Sequence, residues 1–393
     1  MKVLMIANKS EIGGAPRSMM DLALLLQKRH NVEVILALHK EGLVSQFCKA
    51  NGINYIITGH EPIAISKGST KLRRIAKGFL TPYYTIETQI KNDFALVALP
   101  KKIDLQEIDF IHTNSNRDGF GALISRRYGI KHIWHIREFG EEDYDIKFLR
   151  PFSYKYMSDN VYKFVAISDA VKAAWEKRGI PEEKIVRIYN GINLDKIENY
   201  PDRGNLYKQT VRIVVVGTVC PAKGQIDIIN ALEYIEDSIR KNISIDFIGD
   251  GPSDYISSLK AIASKKSVGG HLHFLGYRDN VGQIIKDYTI GLVSSRSEAF
   301  GRITPEYMAA GLITIASDKG ANPEIITDGK NGFIYKYGDP RDLARIVEKV
   351  CALPNDEKVK ISKNAEQDVR LRFNAIINAD SIFKLYQRSL TDN

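Results

Sequence analysis

The chain has 393 residues, more than one hydrophobic core usually serves, so two domains of ordinary size are expected. Hydrophobic residues make up 44% and charged residues 26%, which excludes disordered, collagen-like and coiled-coil classes. A net charge of +9 favours anionic partners, whether nucleotide diphosphates, phospholipids or nucleic acid, without choosing among them.

Residues 3–7 form a short apolar run, too brief for a signal segment, and no run of eighteen apolar residues follows anywhere. Residence in the cytoplasm is the expectation. After the run come Gly13, Gly14 and Pro16, a helical pattern over 18–29 and a second apolar run at 32–38, which together make a βαβ unit. Cys48, Cys220 and Cys351 stand far apart with no paired spacing and read as buried free thiols.

Lys67, Lys71, Arg73, Arg74 and Lys77 fall within eleven residues that contain no acid, and Phe79, Leu80, Pro82, Tyr83 and Tyr84 follow at once. Basic residues beside aromatic and apolar ones suit an anionic membrane surface; the alternative is a solvated loop or helix face. Apolar runs at 110–112, 130–136 and 164–167 then alternate with helical stretches at 121–128 and 169–177, as a parallel sheet requires. Asp143 and Asp145 directly follow Glu141 and Glu142 with no strand immediately before them, so they read as an acidic loop and not as a metal-binding pair.

A polar stretch between 193 and 210 reads as a linker. Beyond it, β-branched and apolar runs at 212–219, 243–248, 271–275, 290–294 and 313–316 imply a second parallel sheet buried on both faces. The expected division is 1–195, a linker at 196–210, a second domain at 211–373 and a closing helix at 374–393. The fold class is α/β, with two doubly wound, Rossmann-like parallel-sheet domains.

The stretch 295–311, Ser-Arg-Ser-Glu-Ala-Phe-Gly-Arg-Ile-Thr-Pro-Glu-Tyr-Met-Ala-Ala-Gly, follows an apolar strand and so puts a helix start at the carboxyl edge of the sheet. Backbone N–H groups of Phe300, Gly301, Arg302 and Ile303 are placed there to meet a diphosphate. Glu298 and Glu306 are suited to sugar hydroxyls; the bland readings are a helix cap and a surface acid. Lys223, just past a buried strand, can put an ammonium on a leaving phosphate.

The Glu298-to-Glu306 signature closely resembles that of retaining glycosyltransferases of family four, of the bacterial surface-polysaccharide type, which have the GT-B fold. The resemblance extends to Gly13-Gly14, Asn190-Gly191-Ile192, Lys223-Gly224, Gly249-Asp250-Gly251-Pro252 and Asn331-Gly332-Phe333. It implies two domains facing across a cleft and a final helix that crosses back to the first. Glu298 then meets the donor hexose, Glu306 the ribose, and Lys223 the diphosphate. His135 reaches the donor sugar from the first domain, and Gly13 and Gly14 meet the donor phosphate or the acceptor. The implied partners are a nucleotide diphosphate sugar, with UDP favoured, and a lipid-linked or oligosaccharide acceptor, with no nucleic acid, metal or cofactor. The chain departs from the family at Thr218, where an arginine is usual, so either Lys223 works alone or another cation such as Arg302 substitutes. An epimerase on the same architecture and an inactive nucleotide-sugar-binding protein are the competing functions.

Overall fold

The computed structural model describes residues 1–7, 11, 13–66, 71–140, 146–149, 151–194, 197, 203–207 and 211–391. The chain divides into two units, one of residues 1–191 with 375–393 and one of residues 192–374.

In the first unit β1 (Lys2–Ala7), β2 (Glu33–Leu38), β3 (Asn54–Ile57), β5 (Phe110–Thr113), β6 (Lys131–Ile136), β8 (Lys163–Ala166) and β9 (Ile185–Arg187) form one parallel sheet in the order 3-2-1-5-6-8-9. A separate antiparallel pair joins β4 (Ala64–Ser66) to β7 (Ile146–Phe148). Alternation along β1 shows why the sheet is covered on both sides. Val3, Met5 and Ala7 enter one apolar cluster, while Leu4 and Ile6 enter another. Helix α1 (Gly14–His30) begins four residues before the apolar periodicity does, because Gly13 caps it and Pro16 is tolerated in a first turn. Helices α2 (Leu43–Asn51), α3 (Lys71–Ala98), α4 (Phe120–Tyr128), α5 (Tyr154–Asp159) and α6 (Asp169–Glu176) follow in chain order.

The second unit carries β10 (Val211–Val216), β11 (Ile243–Ile248), β12 (Leu272–Gly276), β13 (Ile290–Val293), β14 (Ile313–Ser317) and β15 (Phe333–Tyr335), all parallel, in the order 12-11-10-13-14-15. Its longer helices are α7 (Gln225–Ala231), α8 (Ser253–Lys265), α9 (Ile303–Ala309), α10 (Pro340–Ala352) and α11 (Asn355–Arg372). The stretch read as a linker belongs to this unit. Arg203 donates to the Tyr288 carbonyl at 2.8 Å, and the Tyr207 hydroxyl donates to the Gly311 carbonyl at 2.9 Å, so the polar composition hides two anchored side chains. The last helix, α12 (Ala375–Thr391), is part of the first unit, where Ala379, Ile382 and Tyr386 join the cluster under α1 and β1.

Among the cysteines only Cys48 is buried; Cys220 and Cys351 are half-buried, since Cys220 sits at a strand-end loop and not in the core. No helix of the described residues is long and apolar enough to cross a membrane.

Candidate functional site

The strand order of the second sheet decides where its chemistry can gather. From β10 the chain moves outward to β11 and β12, then returns to β13 beside β10 and moves outward the other way. Loops leaving the carboxyl ends of β10 and β13 therefore diverge, and such a switch point is where open α/β sheets bind ligands.

Both loops carry residues singled out above, and they are stitched together. The Arg296 N–H donates to the Ala222 carbonyl at 2.9 Å, and the Ser294 hydroxyl donates to the Lys223 carbonyl at 2.7 Å. Gly224 has φ +67° and a Cβ there would stand 2.0 Å from the Ser294 carbonyl oxygen, so only glycine permits the approach. As a result Lys223, from the β10 loop, places Nζ 2.5 Å from Oε1 of Glu298, from the β13 loop. Ser295 donates its hydroxyl to the same carboxylate oxygen at 2.6 Å. The carboxylate is largely buried and the ammonium about a third exposed, so the pair keeps a solvent-facing cation held in one place.

Gly301, with φ +67°, lies against Glu298: a Cβ on it would be 3.3 Å from the Glu298 Cβ. Helix α9 starts two residues later with Arg302 at its N-cap, whose side chain does not cap the helix start. Thus Lys223, Glu298, Gly301 and Ile303 come together at one edge. Phe300 behaves differently from its neighbours, since its ring is buried and meets Phe373 edge-on with centroids 5.6 Å apart. It anchors the loop with its side chain. Glu306 lies one turn into the helix with Oε1 3.6 Å from Nε of Arg302, so Arg302 has a carboxylate partner of its own. At Thr218 the carbonyl accepts from the Gln225 amide at 3.0 Å.

His135, Gly13 and Gly14 belong to the first unit. Gly13 caps α1 just past β1, whose neighbour β5 marks the switch point of this sheet, and the Asn114 amide after β5 donates to the Ala15 carbonyl at 3.1 Å. His135, near the end of β6, is fully buried at the centre of a polar network. Its Nδ1 lies 3.1 Å from Nε2 of His112 and 3.3 Å from Nη2 of Arg137. Arg137 in turn donates Nε–H to the side-chain and main-chain oxygens of Asn114 at 2.8 and 3.0 Å, and Nη1–H to Asn190 Oδ1 at 2.5 Å. The Tyr386 hydroxyl is 2.5 Å from His112 Nδ1. Burial, reinforced by the Arg137 charge, pulls the His112 imidazole down to about 3 and holds that of His135 well below its usual range. Both rings are neutral at physiological pH. Sequence reasoning gave His112 no role and passed over Arg137 and Tyr386. The signal for His112 is its place at the carboxyl end of β5, whereas nothing in the sequence marks Tyr386.

Lys67, Asp143 and Asp145 lie outside the described residues. Among the described residues no group of three His, Cys, Asp or Glu side chains is arranged to hold a metal ion.

Residues 12–196 match glycosyltransferase family 4 and residues 196–368 match the glycosyl transferases group 1. The chain is a family-four glycosyltransferase with the GT-B fold. It is 25% identical over 321 residues, 76% of this chain and 81% of the other, to the N,N'-diacetylbacillosaminyl-diphospho-undecaprenol alpha-1,3-N-acetylgalactosaminyltransferase of Campylobacter jejuni. Against the UDP-Gal:alpha-D-GlcNAc-diphosphoundecaprenol alpha-1,3-galactosyltransferase of Escherichia coli it is 24% identical over 314 residues, 76% and 80% of the two chains. In fold it is similar to Anabaena HepE, solved in complex with UDP and glucose, with a TM-score of 0.75, 21% identity and all of both chains covered. Signature and geometry meet in this glycosyltransferase at one place, the joined β10 and β13 loops.

Proposed function

We propose that this enzyme moves a hexose or N-acetylhexosamine from a nucleotide diphosphate sugar, UDP favoured, to a lipid-linked or polysaccharide acceptor with retention of configuration. The observation that carries the reading is the Lys223–Glu298 contact of 2.5 Å at the switch point of the second sheet. A cation for the departing diphosphate and a carboxylate for sugar hydroxyls stand side by side there. The UDP bound to Anabaena HepE and the undecaprenol-linked acceptors in the names of the two relatives support the donor and acceptor classes. Lys223 and the amides from Phe300 to Ile303 neutralise the diphosphate in this reading, so the reaction runs without a metal.

The mechanism proposed is front-face transfer. The C1–O bond to the phosphate breaks, the acceptor oxygen bonds to C1 on the same face, and its proton passes to the phosphate oxygen that leaves. His135, Gly13 and Gly14 serve donor and acceptor from the first unit. Incubating the protein with a panel of nucleotide sugars, with and without membrane extract as acceptor, tests the whole reading. Nucleoside diphosphate should appear when acceptor is present. Conversion of the donor to another sugar nucleotide with no acceptor would mean an epimerase, and no turnover of any donor a binding protein. A sugar trapped covalently on a side chain would overturn the front-face step.

Glu306 is assigned to the ribose hydroxyls. Replacing it with alanine is expected to weaken binding of free nucleoside diphosphate by about tenfold, in line with loss of a charge-assisted hydrogen bond. Full affinity in calorimetry would remove Glu306 from the donor site.

The enzyme is also proposed to work at the inner face of the plasma membrane, resting helix α3 on anionic lipid. Support comes from the solvent-facing side chains of that helix. Phe79, Tyr83, Ile86, Ile90, Phe94 and Val97 are all exposed, Phe79 by 84% and Phe94 by 72%. Their mean step over residues 79–97 is that of a straight α-helix, so the stripe does not wind around it and suits a flat surface. Lys67, Lys71, Arg73, Arg74 and Lys77 precede the stripe and supply the attraction for acidic headgroups. A triple Phe79→Ser, Tyr83→Ser, Phe94→Ser variant should lose most co-sedimentation with vesicles containing phosphatidylglycerol. Sedimentation equal to that of the parent protein would detach the helix from this role.

A further inference from the structure

We infer that this chain locks His135 into the tautomer protonated at Nε2, with Arg137, His112 and Tyr386 as positioning residues, so that His135 donates a hydrogen bond to a ligand oxygen and cannot serve as a base. The nature of the ligand rests on the glycosyltransfer reading; the tautomer does not.

Arg137 starts the argument. A guanidinium has donors and no acceptor, so Nη2 at 3.3 Å from His135 Nδ1 requires that nitrogen to be the unprotonated one. The guanidinium cannot turn away, since its Nε and Nη1 are committed to Asn114 and Asn190. With Nδ1 an acceptor, the ring proton of His135 sits on Nε2. The same choice then runs outward. His112 Nε2, at 3.1 Å from that Nδ1, must carry its proton, which leaves His112 Nδ1 to accept from the Tyr386 hydroxyl at 2.5 Å. Two donors sharing one ring lone pair also accounts for both contacts being longer than the best hydrogen bonds.

The opposite assignment fails at the guanidinium, the one partner in the chain that cannot accept. A proton on His135 Nδ1 would face the N–H of Arg137, in a site where His135 and Tyr386 have no exposed surface and His112 only a trace. Protonating the pair further is opposed by burial and by the neighbouring guanidinium. One atom remains over: His135 Nε2 is buried without a hydrogen-bond partner in this structure. A buried N–H with no acceptor keeps an uncompensated desolvation penalty, so its natural complement is an oxygen brought by a ligand. A neutral N–H of this kind suits a sugar hydroxyl oxygen, which it can hold without taking a proton from it.

Two measurements on the full chain test this. In long-range nitrogen–proton spectra of protein labelled with ¹⁵N-histidine, the signals lost on His135→Gln identify His135. Its Nε2 is expected in the protonated range and its Nδ1 in the unprotonated range. A protonated Nδ1 would overturn the inference whatever the enzyme does. In the second measurement the amide of His135→Gln supplies a donor near the Nε2 position but cannot act as a base. Gln is expected to retain kcat/KM within about tenfold of the parent, while His135→Ala loses about a hundredfold, and equal loss in both would assign His135 a base role instead. Tyr386→Phe keeps the ring and removes the outermost donor. It should raise KM for the donor sugar severalfold and move the His112 Nδ1 signal, which loses its donor while the tautomer holds, and an unchanged Nδ1 signal would remove Tyr386 from the relay. If no donor is turned over with any acceptor while the tautomer is as stated, the transfer reading falls and this one stands.

Discussion

Replacing Lys223 with alanine is expected to lower turnover about a hundredfold, or some 2.7 kcal/mol of transition-state stabilisation, while thermal unfolding moves little. The magnitudes separate this from a structural role. Lys223 is about a third exposed, and a pair of that kind with Glu298 contributes at most about 1 kcal/mol to stability. An ammonium facing the charge that develops on a leaving diphosphate does more, because it is already in place when that charge appears. The Ser295 hydroxyl keeps the Glu298 carboxylate partnered in the variant, so the loop should hold. Steady-state release of nucleoside diphosphate from the best donor measures the effect. Turnover within threefold of the parent would mean that Lys223 only neutralises Glu298, and the site would then need another cation.

The second large effect is expected at Gly320, a residue with no chemistry of its own. It has φ +62°, and a Cβ there would stand 2.1 Å from the carbonyl oxygen of Glu298 and 2.6 Å from its nitrogen. Both are backbone atoms, so no rotamer change can relieve the contact. The adjacent Ala321 N–H donates to that same carbonyl at 2.8 Å, which makes this turn the support on which Glu298 rests. Gly320→Ala must therefore move the Glu298 loop. We expect kcat/KM to fall at least tenfold and the unfolding midpoint by about 5–10 °C, from the left-handed backbone cost plus the displaced loop. Gly329→Ala is the control, since Gly329 has φ +72° with nothing within 4 Å of the added carbon. Similar losses in both variants would reduce the effect to backbone strain and leave Gly320 without a special tie to the site.

Much of the architecture was legible because both sheets are parallel and buried. Runs such as Val211–Val216 and Ile290–Val293 are apolar at nearly every position, as strands covered on two faces are. Weak elements escaped for the converse reason. β3 and β15 are short and α3 carries Pro82 within it, whereas α10 was missed although Asp339 caps it and Pro340 opens it. Of the candidate site, Lys223, Glu298, Gly301 and Glu306 were singled out because local motifs at strand ends carry them. Gly320, Arg137 and Tyr386 were not, because what each does depends on a partner far away in the chain.

The amino-acid sequence by itself determined the class of fold and singled out the stretch of chain proposed to carry the chemistry, since hydrophobic periodicity and a strand–loop–helix signature are local properties read within about twenty residues. Tertiary structure alone decided which atoms meet. Lys223 and Glu298 are 75 residues apart and come into contact because β10 pairs with β13. Tyr386 reaches His112 across 274 residues because α12 packs on the first unit. A proton's position on an imidazole depends on what lies 3 Å from each nitrogen, and only the folded chain specifies that neighbourhood.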